Sequence, residues 1–94
     1  MSPSIRLYVA GRHYLEIVNP ADHALEGLRL YAGPELVPFF RGDECVSSVD
    51  VPPNTTRRIP VAMTPAAELR LKREAQARWS VAGVLRSAPV HLEI

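Results

Sequence analysis

Residues 5–17 read Ile5-Arg6-Leu7-Tyr8-Val9-Ala10-Gly11-Arg12-His13-Tyr14-Leu15-Glu16-Ile17. Ile5, Leu7 and Val9 alternate with Arg6 and Tyr8, and Leu15 and Ile17 flank Glu16. Successive side chains of a strand point to opposite faces, so this period of two predicts half-buried strands rather than an amphipathic helix. Gly11-Arg12 supplies a tight reversal between the two runs, which predicts an opening hairpin or a strand pair joined at a corner.

The same grammar continues along the chain. Asn19-Pro20-Ala21-Asp22 stops the second strand, because proline lacks a ladder donor and Asn and Asp side chains close local turns. Leu28 and Leu30 straddle Arg29, and Gly33-Pro34 ends that run. Leu36 to Phe40 form an apolar cluster broken by Pro38, consistent with an edge segment or a buried loop. Val49 and Val51 alternate with Asp50 before the loop Pro52-Pro53-Asn54-Thr55. Ile59, Val61 and Met63 alternate around Pro60, which predicts a strand at a sheet edge.

Residues 65–78 support two readings. Thr64 can cap a helix, Pro65 suits the first helical position, and Ala66 to Arg78 is rich in strong helix formers. Yet Leu69 and Leu71 lie about 160° apart on a helical wheel, while Leu69, Leu71, Ala75, Ala77, Trp79 and Val81 share the parity of a strand. The specific start favours a short helix from about Pro65 to Ala77 that passes into a strand at Trp79. Trp79, Val81 and Leu85 are expected on one face, Ser87-Ala88-Pro89 as a turn, and Val90, Leu92 and Ile94 alternate with His91 and Glu93 in a last strand. About seven short strands with frequent turns predict a mainly β fold, an immunoglobulin- or fibronectin-like antiparallel sandwich with one short helix.

Composition bounds the rest. A chain of 94 residues, 47% apolar and 22% charged, has room for one domain, 1–94, with one modest core. Eleven basic against ten acidic residues leave a net charge of +1, which singles out neither nucleic acid nor an anionic membrane. Cys45 is the only cysteine, so no intramolecular disulfide forms. The N-terminus has no basic segment followed by an apolar one, and no apolar run approaches the roughly 20 residues that cross a bilayer. The expected location is the cytoplasm or a particle assembled inside the cell.

No arrangement in the chain carries chemistry. His13, His23 and His91 lack metal-ligand spacing, and Cys45 follows Asp43 and Glu44, which disfavour its thiolate. There is no nucleophile elbow and no phosphate loop. Catalytic, cofactor and metal residues are therefore predicted as none, and no small-molecule substrate is implied. Arg41-Gly42-Asp43 and Asn54-Thr55-Thr56 read as turns. Arg57, Arg58, Arg70, Lys72, Arg73 and Arg78 could form a basic face, but Glu68 and Glu74 interrupt it without aromatic interleaving, which disfavours nucleic acid. The candidate partner-binding residues are instead Leu36, Val37, Phe39, Phe40 and Trp79, an excess of large apolar side chains for so small a core. A protein partner or self-association follows.

The order Ile17-Val18-Asn19-Pro20, Leu25 to Ala32, Val51-Pro52-Pro53 leading to Ile59-Pro60-Val61, and Trp79-Ser80-Val81-Ala82-Gly83-Val84-Leu85 resembles the WHy (water stress and hypersensitive response) domain of atypical late-embryogenesis-abundant proteins. That resemblance implies a fibronectin-like sandwich with a helix before its last strands, a protective stress role without an active site, and structural roles for Asn19 and Pro20. The expectation from a different class is a structural accessory subunit that decorates or cements a virion or another large assembly.

Overall fold

The computed structural model describes residues 3–9 and 11–93. The opening repeat forms β1 (Ser4–Tyr8) and β2 (Tyr14–Asn19), paired antiparallel with Ile5 opposite Ile17 and Leu7 opposite Leu15. Next come β3 (Leu25–Ala32), β4 (Glu35–Val37), β5 (Phe39–Arg41), β6 (Glu44–Val46), β7 (Val49–Val51) and β8 (Thr55–Pro60). A helix, α1 (Pro65–Leu71), precedes β9 (Ala75–Val81), β10 (Val84–Pro89) and β11 (His91–Glu93). The fold is mainly β, as the alternation predicts; it exceeds seven strands because β4, β5, β6, β7 and β11 have only three residues each.

A four-stranded sheet runs β11-β1-β2-β8 and a second, five-stranded sheet runs β10-β9-β3-β4, with β7 sharing the β3 edge beside β4, while β5 and β6 pair as a separate two-stranded ribbon. Immunoglobulin-type sandwiches place strands A, B and E in one sheet and C, F and G in the other. Here β1, β2 and β8 stand as the first set and β3, β9 and β10 as the second. β11 crosses over to pair parallel with β1. Ile5, Leu7, Leu15, Ile17 and Ile59 face Leu25, Leu28, Leu30, Ala32, Ala77 and Trp79 across the core. Pro60 ends β8, which is an edge strand, as a residue without an N–H requires.

β3, eight residues long, serves two partners on one edge, β7 at Leu25 and Leu28 and β4 from Leu30 to Ala32, and it contains a bulge. Its register shifts between Leu25 and Leu28 against β7 and between Glu26 and Arg29 against β9. Gly27 sits there at φ +58°, a conformation that disfavours any side chain with a Cβ, and its N–H donates to Asp50 Oδ1 at 2.8 Å.

The segment from 64 corrects two expectations. The helix ends at Leu71, not near Ala77, and β9 begins at Ala75. Thr64 caps it as predicted, its Oγ1 accepting from the Ala67 N–H at 3.1 Å, and Ala67 and Leu71 are buried. Extending the helix would take Ala77 and Trp79 off the inner face of the sheet, so strand parity prevails over helix propensity. Thr64→Ala is expected to lower stability by about 1 kcal/mol, read from the denaturant midpoint at unchanged slope.

The closing strands differ as well. Ala82 (φ 49°) and Gly83 (φ 80°) form a two-residue turn with both central residues at positive φ, so Val81 pairs with Val84 and Leu85 faces Ser80. Leu85 therefore lies on the outer face, away from Trp79. Ser87-Ala88-Pro89 continues β10 and does not turn. Ile94 lies outside the described residues. Arg41-Gly42-Asp43 turns between β5 and β6, and Asn54 (φ 51°) turns into β8, both as read from the sequence.

Candidate interaction surface

Of the five apolar candidates, Val37, Phe39 and Trp79 pack into the core. Leu36 and Phe40 remain at the surface, 37% and 44% exposed. The division follows from strand parity around Pro38. Val37 points inward from β4, and Pro38, without an N–H, lets the chain leave that sheet. The Pro38 carbonyl accepts from the Ala62 N–H at 2.9 Å, and Phe39 bridges to Val61. Phe39 is thereby driven inward, and Phe40, the next residue of the strand, points out.

Phe40 and Leu36 border a groove of about 320 Å3 that also takes in Pro38, Ala62, Met63 and Ala67, with Glu35 and Thr64 at the rim. Phe40 and Met63 separate it from a second depression beside Arg12, His13, Gly42 and Pro60. Glu35 at the rim pairs with Arg70 of the helix at 3.6 Å, and His13 Nε2, beside the second depression, lies 3.4 Å from Glu68 Oε1. Met63 and Ala67 were not among the candidates. For Met63 the signal was its parity with Ile59 and Val61; Ala67 stands on the helix and carried none.

The charged residues do not converge. Arg58 donates to Glu16 at 3.0 Å, and this carboxylate holds the guanidinium above its ordinary value. Glu16 lies between Arg6 and Arg58 in one cross-strand row of the first sheet. Arg57 donates to the Asp50 carbonyl at 2.7 Å, Arg70 stands on the helix, and Arg78 covers the Tyr31 ring on the second sheet at 4.4 Å. Among the described residues no three His, Cys, Asp or Glu side chains are placed to hold a metal, and no helix is long and apolar enough to cross a membrane. Cys45 is exposed on β6, opposite Phe40.

Asn19 is the one buried polar side chain among the described residues. Its Nδ2 approaches the carbonyls of His23 (2.9 Å), Pro52 (3.0 Å) and Val51 (3.4 Å), and its Oδ1 accepts from the Ala21 N–H at 3.2 Å. It ties the end of β2 to the loop between β7 and β8. No protein-family model, curated protein or solved structure matches the chain.

Proposed function

We propose that this protein is a non-catalytic β-sandwich interaction module that works as a structural accessory subunit of a larger assembly, in the cytoplasm or in a particle built there. The observation that carries this reading is the exposed pair Leu36 and Phe40 over an apolar groove. An apolar recess held by sheet and helix, with few charges at its rim, suits a protein side chain better than a polar substrate. A second reading, a WHy-like stress-protective protein, is favoured by Asn19, whose bonds make it structural, and by the helix that precedes the closing strands.

Light scattering over a concentration series separates the two, comparing the native chain with the Leu36→Ser/Phe40→Ser double variant. An accessory subunit that meets its own kind self-associates through the groove, and the double variant returns it to a monomer with unchanged melting temperature. A monomer at every concentration that suppresses aggregation of a heat-labile enzyme equally well in both forms would favour the stress-protective reading.

A further inference from the structure

We propose that the open edge of β10 is a strand-acceptor site for an extended acidic segment of a partner protein. It lies on the opposite edge of the second sheet from β4 and the Leu36–Phe40 groove, and the inference is independent of that groove. Among the described residues no strand pairs with the outer edge of β10.

Register identifies the groups that point outward. In an antiparallel hairpin closed by a two-residue turn, the pair flanking the turn is hydrogen-bonded and bonded pairs alternate from there. Val84, Arg86 and Ala88 thus bond to Val81, Trp79 and Ala77. The Val90 N–H donating to the Ala75 carbonyl at 2.9 Å continues the same parity. Leu85 and Ser87 consequently direct their N–H and C=O groups away from β9. Pro89 has this outward parity too, which is why a residue without an N–H is tolerated there. An incoming strand completes the ladder at Leu85 and Ser87, the usual source of affinity in strand addition.

Side chains on both faces of this edge describe the occupant. Val84 and Leu85 are 55% and 70% exposed, so an added strand would cover apolar surface above and below the sheet. On the inner side the edge borders a seam of about 370 Å3 that includes Leu25, Trp79, Val81, Ala88, His23 and Arg86 and no carboxylate. Arg86 shares a face with Trp79, so the residue opposite Arg86 on an added strand meets a guanidinium, and its neighbours two positions away meet Val84 and Ala88. On the outer face Arg78 stands directly opposite Arg29, with Glu26 one row beyond. This pair lies inside the sheet, with β10 between it and an added strand, so the choice of an acidic residue rests on Arg86. A second copy fits poorly: two-fold pairing of β10 with itself in registers centred on residues 85–87 brings both Arg86 side chains together on one face. The favoured occupant is an acidic residue flanked at alternate positions by small apolar ones.

The test uses the purified chain and the synthetic peptide Thr-Val-Thr-Glu-Thr-Val-Thr, followed by amide resonances. Saturable shifts centred on Leu85 and Ser87 are expected, and are lost when the peptide is N-methylated at alternate residues. Ser87→Pro should abolish binding while the chain stays folded with little change in melting temperature, since the N–H it removes points outward and an edge position tolerates proline. Arg86→Glu should weaken binding about tenfold or more and should bind instead the peptide Thr-Val-Thr-Lys-Thr-Val-Thr, in which Lys replaces the central Glu, as expected for a charge-assisted hydrogen bond. Several results overturn the proposal: no saturable binding; binding indifferent to Ser87→Pro and to the charge swap; concentration-dependent shifts at Leu85 and Ser87 without peptide, which assign the edge to a second copy; or stronger shifts of these amides with oligo-dT, which assign it to nucleic acid.

Discussion

Asn19→Asp is expected to destabilise the protein by about 3 kcal/mol or more at neutral pH. Asn19 is 1% exposed, and its amide nitrogen faces three carbonyl oxygens. A carboxylate there would have no proton to give them and would be desolvated among acceptors. Burial and those acceptors raise the carboxyl's folded pKa above its unfolded value of about 3.9. A raised folded pKa means that the folded variant holds its proton more tightly than the unfolded chain. The deficit is therefore smallest below about pH 4 and grows as pH rises through the folded value. Asn19→Ala should cost about 2 to 3 kcal/mol, with little dependence on pH, because it strands the carbonyls without adding a charge. Urea unfolding at a series of pH values measures both. Equal stability of Asn19→Asp at acid and neutral pH would refute this account of the site.

Phe39→Ser is expected to remove about 4 kcal/mol or more of stability and to lower the melting temperature sharply, whereas Phe40→Ser, one residue along, should change stability by less than about 0.5 kcal/mol. Phe39 is 0% exposed, and truncating a buried phenylalanine costs about 3 to 5 kcal/mol before the burial of a hydroxyl is added. A domain of this size has about 5 to 15 kcal/mol in total. Circular dichroism and thermal melts report the difference directly. The contrast also decides how the groove is probed. A lost association in Phe39→Ser reports lost folding, so Leu36 and Phe40 are the positions at which to test contact. Similar melting temperatures for the two serine variants would contradict the inward–outward assignment around Pro38.

Much of the fold was legible in the chain because strand parity is a local property. Ile5, Leu7, Leu15 and Ile17 announce the first hairpin, Pro60 announces an edge, and Thr64-Pro65 announces where the helix begins. The end of that helix was not legible. Residues 72–78 have helical propensity, and only the place of Ala77 and Trp79 in the second sheet makes a strand the better conformation. The hairpin at Ala82-Gly83 was hidden for a different reason. The usual sign of such a turn is Asn-Gly or Asp-Gly, and an alanine at φ 49° carries no comparable mark. Missing the turn merged β9 with β10 and placed Leu85 on the wrong face.

The candidate surface divides in the same way. Sequence alone determined that this chain alternates into short strands, closes them with Pro, Gly and Asn turns, and carries more large apolar side chains than surface residues usually include. It could not decide which of those side chains a partner meets. Leu36, Val37, Phe39, Phe40 and Trp79 are all apolar, and the difference between core and surface is set by which way each strand faces and which sheet it joins. Only tertiary structure answers that: Pro38 releases the chain from β4, the Val61 bridge turns Phe39 inward, and Phe40 is left at the groove. The open edge of β10 is likewise a property of sheet order, since an unpaired N–H is defined by the strand that fails to lie beside it.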